Sequence, residues 1–255
     1  KNNKKSEKQQ REDIQASIRE LDNMIRNVRA YFQRIKQRNR MADERQKADL
    51  RLESMIPFVI EQKTIFVHAN EARQIETAIN WARKNDLKIV IVGGADSWRL
   101  TDLLVKNNIP VILDKVEKVP MRRFEPIHLP YKTPFLLKEG GVQFCLNTRI
   151  GYPHDGNVRN LPNEAMRAAA YGLEKPEALR SITLSAAEIL GIDDMVGSLD
   201  VGKDATFFIS DKAPMEMSPK VLMAFIQGRE VDLNDRQKML YKKYQEKYRR
   251  LGQLK

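Results

Sequence analysis

The stretch TIFVHANEARQIETAINWARKNDLKIVIVGGADSWRLTDLLVKNNIPVIL, residues 64–113, decides the fold. Thr64 to His68 is a short run of β-branched and aromatic residues, the pattern of a buried strand. Glu71 to Lys84 reads as a helix. Lys88 to Val92 is a second apolar strand that ends on Gly93-Gly94, and Arg99 to Lys106 reads as helical. Pro110 to Leu113 is a third strand. Strands therefore recur about every 22–24 residues with helices between them. That rhythm predicts βαβ units and a parallel sheet.

Downstream, a Pro-rich excursion runs from Val119 to Pro134 before a fourth strand, Gly141 to Leu146. Four such strands amount to half of a (β/α)8 barrel. An open half-barrel leaves two unpaired edges. The other half is therefore expected upstream in a longer polypeptide or in a partner chain. Two helices follow, Pro162 to Tyr171 and Pro176 to Leu190. Pro176 suits a first helical position and Gly191 a C-terminal stop. After Gly191 the period falls to two. Gly197 to Asp204 is turn-rich, Ala205 to Ser210 is a strand, and Val221 to Leu233 reads as a hairpin turning at Gly228-Arg229.

Upstream, Ser6 to Gln9 fits a capping box. Ile14, Ile18, Leu21, Ile25, Val28, Phe32 and Ile35 then fall at alternating spacings of four and three, one stripe on a long helix. Either a coiled-coil seam or a helix lying on its own domain would produce it. Residues 37–51 are charge-rich and read as a second helix or a connector. The expected division is a basic helical segment (1–56), the half-barrel (57–195), a β-sandwich portion (196–233) and a C-terminal amphipathic helix (234–255). That last helix places Leu240, Tyr244, Tyr248 and Leu251 on one face.

The formal net charge is +11, about +7 of it within the first 52 residues. This is a local basic segment, most simply a solvated helix face, or else a surface for an acidic partner: nucleic acid, a lipid surface or an acidic neighbouring subunit. Nothing reads as a groove-specific nucleic-acid motif. No apolar run approaches the length that spans a bilayer. Cys145 is the only cysteine. It excludes an intrachain disulfide and a thiolate cluster, and on a strand it reads as a buried, inert thiol.

The run RNLPNEAMRAAAYGLEKPEALRSITLSAAEILGIDDMVGSLDVGKDATFFIS, residues 159–210, and VLMAFIQGREVDL, residues 221–233, resemble the end of an amidohydrolase-superfamily protein of the imidazolonepropionase-like branch. The resemblance spans about residues 57–255. It implies a TIM-type barrel, here its C-terminal half, flanked by a small β-sandwich, in which the Gly202-Lys203-Asp204-Ala205 turn is structural. It also implies hydrolysis of non-peptide carbon–nitrogen bonds with a divalent metal, zinc or similar, and it leans towards an exported, soluble protein. Metal ligands of such proteins sit at the C-terminal mouth of the barrel. The metal lowers the pKa of a bound water and polarises the scissile carbonyl.

Only part of that ligand set has a counterpart here. Phe66-Val67-His68-Ala69 matches the fifth-strand motif, which makes His68 the candidate ligand. The next histidine position falls at Gly93. The eighth-strand acid falls at Arg149, whose permanent cation would repel a metal. The chain has three histidines and no His-x-His pair. His154 and Asp155 follow the fourth strand, where they are either a substitute ligand pair or ordinary turn residues. His128 reads as a loop residue. Gly93-Gly94-Ala95-Asp96 reads as a tight strand-to-helix turn rather than a phosphate cradle. Asn163 is a candidate cap for the helix that begins near Asn160. Two functions follow: a metal-dependent amidohydrolase with its other ligands upstream, or a catalytically inactive scaffold or assembly subunit with no metal of its own.

Overall fold

A computed structural model of the chain describes residues 6–41, 48–148, 155–216 and 218–253, with backbone alone at 7, 38–41 and 155–157. Helix α1 (Glu7–Met41) opens with the capping box: Gln9 N–H donates to Ser6 Oγ, and Ser6 N–H donates to Gln9 Oε1. Helix α2 (Leu50–Val59) is capped by Asp49, so the change of character read at Pro57 falls inside a helix. Ile25 and Val28 of α1 are buried against Val59 of α2, with Trp81 and Leu87 packed on them. Asp22 clamps the same face of α1. Its carboxylate accepts from Trp81 Nε1 (3.1 Å), Lys84 Nζ (2.6 Å) and Asn85 Nδ2 (2.9 Å). The apolar stripe is thus divided: its middle packs on its own fold, while Ile14 and Leu21 stay exposed.

The central sheet has four strands, β1 (Ile65–Ala69), β2 (Ile89–Gly93), β3 (Val111–Leu113) and β4 (Phe144–Leu146). All pairings are parallel and the order is β1-β2-β3-β4. Each strand adds beside the last, without the reversal of order that marks a doubly wound sheet, so the progression is that of a barrel wall. Alternation sorts the side chains onto two faces. Ile65, Val67, Ile91, Val111, Leu113, Phe144 and Leu146 join the main core beneath α3 (Ala72–Lys84), α4 (Thr101–Lys106), α5 (Leu129–Glu139), α6 (Leu161–Ala170) and α7 (Lys175–Ser181). The other face carries Phe66, His68, Val90, Ile112 and Cys145. Helix α8 (Leu184–Leu190) covers its β4 side through Ile189 and Ala186. On the β1 side it is open, and Phe66 is 45% exposed.

The sequence expectation differs from the structure in several elements. The Pro-rich excursion contains the start of α5, because Pro130 sits at the beginning of a helix, where its missing N–H costs nothing. The single helix expected from Pro176 to Leu190 is broken into α7 and α8. The hydroxyls of Ser181 and Thr183 bond back to the carbonyls of Ala178 and Leu179 and compete with the helical pattern. The stretch Arg99 to Lys106 begins as a 3-10 turn, Ser97–Arg99, before α4. Gly191 ends α8 in the left-handed conformation, as expected.

A second, antiparallel sheet has the order β5-β6-β7, from Phe207–Ser210, Val221–Ile226 and Arg229–Glu230. Its hairpin turns at Gln227-Gly228, one residue before the expected position. Both residues have positive φ, 51° and 75°, as a two-residue primed turn requires. The Gly202–Ala205 turn does structural work: Asp204 N–H donates to Met195 O, Lys203 Nζ donates to Ser198 Oγ, and Gly228 N–H donates to Ala205 O. Helix α9 (Arg236–Arg250) closes the described chain, capped by Asp235. Among the described residues no helix is long and apolar enough to cross a membrane.

Candidate functional site

The C-terminal ends of β1 to β4 form one rim. Their loops are laced together by backbone bonds: Gly94 N–H to Ala69 O, Asp96 N–H to Asn70 O, Asp114 N–H to Gly93 O, and Asn147 N–H to Leu113 O. Behind the rim lies Asp96, which is 2% exposed. Its Oδ2 accepts from Ala72 N–H at the start of α3 (3.0 Å) and from Arg122 Nη2 (2.7 Å). Its Oδ1 accepts from Arg122 Nη1 (2.8 Å). Glu125 accepts from Arg122 and from Arg99. The Arg122 guanidinium holds the Asp96 carboxyl below the usual carboxylate range, against the opposing effect of burial, and the Ala72 N–H adds to the depression. The Gly-Gly-Ala-Asp turn is therefore a tight turn, as expected. Its Gly94 and Asp96 N–H groups are spent on the Ala69 and Asn70 carbonyls and are not offered to an anion.

Glu164 is a second buried acid, 3% exposed. Its Oε2 accepts from the backbone N–H groups of Val116 (2.7 Å) and Glu117 (3.2 Å), tying the loop after β3 to α6. Asn163, expected as the helix cap, is already inside α6; Asn160 holds the cap position and makes no side-chain cap bond. Sequence reading missed Asp96, Arg122 and Glu125 as a group. Asp96 and Arg122 meet across 26 positions of sequence, beyond the reach of any local pattern.

His68 lies at the C-terminal end of β1, exposed on the same face as Phe66 and in register with Val92. Level with it across the sheet stand Val92, Ile112 and Cys145, none of them a hard-metal ligand. Burial pushes the Cys145 thiol up to about 12, so it stays protonated and inert. His128, at the cap position of α5, stacks on Tyr171. Arg149 and His154 lie outside the described residues. Asp155 opens a 3-10 helix, Asp155–Asn160, and its side chain is likewise outside the description. A cavity of about 20 Å³ beneath the rim, lined by Ala95, Asp114, Glu125 and Thr133, has room for about one water.

Gly93, the position of the second expected ligand, has φ +104°, and a Cβ there would meet Asn70 Oδ1 at 2.5 Å. The Asn70 side chain could swing aside. The backbone could not, because Gly94 N–H and Gly93 O are both committed to neighbouring strands. Among the described residues no group of three or more His, Cys, Asp or Glu could hold a metal ion. The described residues therefore do not fit the family's metal. Gly93→His is expected to lower stability by about 1–3 kcal/mol, the usual cost of a non-glycine residue held at such a φ. It should bring no gain in bound zinc; a denaturant melt and elemental analysis of the variant check both.

Comparison with known proteins bears on the fold. Residues 134–231 match the model of the amidohydrolase family. That match spans less than half of the chain. An imidazolonepropionase of Shewanella baltica (strain OS185) is 50% identical over 78 residues, covering 31% of this chain and 19% of that protein. One from Shewanella putrefaciens is 38% identical over 78 residues, with the same coverage. The crystal structure of an amidohydrolase from Thermotoga maritima MSB8 superposes with a TM-score of 0.72 at 24% identity, over 84% of this chain and 55% of that one. A Xaa-Pro dipeptidase superposes with a TM-score of 0.53 at 20% identity, over 71% and 47%. The matched region spans about a fifth of the imidazolonepropionases, and the chain spans about half of the Thermotoga protein. These likenesses bear on the fold alone: the parallel sheet and its helices are structurally similar to part of an amidohydrolase TIM barrel.

Proposed function

We propose that this chain is a half-barrel scaffold of the amidohydrolase type that docks a complementary half and holds no metal through its own strands. The observation that carries the reading is Gly93, where a ligand position is closed by backbone conformation as well as by residue type. The outer edges of β1 and β4, unpaired among the described residues, support docking of further parallel strands, in the same polypeptide or in a partner chain. The open β1 side of the inner face, with Phe66 exposed, is apolar surface for such a half to cover. The basic helices α1 and α9 suit membership of a larger complex.

One observation favours a second reading, a metal-dependent hydrolase of non-peptide carbon–nitrogen bonds. His68 stands exposed on the inner face at a strand end, where barrels keep their chemistry, and a complementary half could bring further ligands to it. Metal content separates the two. The intact protein, purified with whatever accompanies it, is expected to carry no zinc, manganese or iron above background by elemental mass spectrometry. Stoichiometric metal that falls on His68→Ala would replace the scaffold reading with the hydrolase.

A further inference from the structure

Helix α9 is built unlike the rest of the molecule. Its 15 residues, RQKMLYKKYQEKYRR, carry seven cations and one acid, and none is buried. Among the described residues no helix or strand makes more than slight contact with it. A helix of about this length is marginal in water without a surface to pack on. The Asp235 cap, which accepts from Lys238 N–H at 2.8 Å, starts the helix but supplies no packing. At about 100° per residue, Leu240, Tyr244, Tyr248 and Leu251 share one face, with Tyr241 at its margin. Tyr241, Tyr244, Tyr248 and Leu251 are all exposed.

The charges flank that face on both sides. Lys243 and Lys247 border one margin, and Lys238 and Arg249 the other. Lys247 Nζ sits 6.0 Å from the ring centroids of both Tyr244 and Tyr248. A protein groove would need acidic walls on both sides of an apolar floor. A planar anionic headgroup layer over acyl chains offers that arrangement everywhere. Tyrosines suit the boundary itself, since one end of the ring is apolar and the other wet. We propose that α9 is an in-plane anchor for an anionic lipid surface, with Tyr244, Tyr248 and Leu251 inserted and the lysines and arginines over the headgroups.

The test is vesicle co-sedimentation of the full chain at low and at physiological salt. The probes are vesicles of phosphatidylcholine alone and of phosphatidylcholine mixed equally with phosphatidylglycerol. Binding is expected to the mixed vesicles only, and to weaken with salt. The triple variant Lys242→Glu, Lys243→Glu, Lys247→Glu should weaken it on the order of 100-fold or more, from the attraction each cation near an anionic surface contributes. The double variant Tyr244→Ser, Tyr248→Ser should weaken it while leaving the charge unchanged. Because Lys242, Lys243, Lys247, Tyr244 and Tyr248 are all exposed, neither variant should alter the melting of the remaining fold. Equal binding to neutral vesicles, or no binding to either, overturns the proposal. So does tighter binding to a single-stranded oligonucleotide than to the mixed vesicles, which would make α9 a nucleic-acid surface.

Discussion

Replacing Asp96 with alanine is expected to destabilise the fold by about 3 kcal/mol, the lower end of what breaking a buried charge pair costs. Three groups lose a partner at once. Arg122 loses a bidentate carboxylate, the Ala72 N–H at the start of α3 loses its acceptor, and Arg99 loses a neighbouring charge 3.8 Å away. The effect stays at the lower end because Arg122 keeps Glu125 and reaches solvent. Asp96→Asn preserves shape and one acceptor oxygen and is expected to cost about half as much. The carboxyl's pKa is depressed in the folded state. Its contribution is therefore complete above the unfolded value of about 3.9 and is lost as pH falls through the lower folded value. Urea melts of wild type and Asp96→Asn should differ at neutral pH and converge below about pH 4. A difference that persisted unchanged into acid would mean that shape, and not charge, holds the rim.

The residues that sequence reading located are those whose role is periodic. Ile89 to Ile91 and Phe144 to Leu146 are buried on both faces, one beneath α3 to α7 and the other in the cluster that α8 joins through Ile189, and so read as unbroken apolar runs. The positive φ of Gly191 and Gly228 marks turns that lie within a residue of where they were expected. What escaped was set by contacts between distant segments. Thr183 breaks a helix that its apolar pattern would continue. Pro134 sits inside α5, where it removes one backbone bond, so a proline-counting eye reads a loop. Asp96 and Arg122 are 26 residues apart, and Glu164 meets Val116 across 48. No local signal announces that such an acid is buried. The candidate site was legible in a narrower sense. The substitution at Gly93 was visible as a letter, while the conformation that closes the position needed coordinates.

The second large effect should come from Glu164. Its carboxylate is the acceptor for two consecutive backbone N–H groups in the loop after β3, and Val116 is itself buried. Alanine at this position strips both donors of their partner in a place water enters poorly. At about 1–3 kcal/mol for each unsatisfied buried group, with partial relaxation, a loss of about 2–4 kcal/mol is expected. The Glu164→Gln variant retains a carbonyl oxygen in the same place and should recover more than half of that. The loss should also be local in character. The loop from Asp114 to His128 carries Arg122 and Glu125 into the Asp96 network, so releasing one end at Val116 loosens the other. Its exposed Val119, Phe124 and Ile127 lend the loop little packing of their own. Limited trypsin digestion of Glu164→Ala under native conditions should therefore add cuts at Lys115, Lys118, Arg122 and Arg123 that the wild type resists. If Glu164→Ala melts within about 0.5 kcal/mol of wild type, as an ordinary surface substitution does, the loop is held by the Asp96 network alone. The Asp96→Ala variant would then be the one to open at these sites.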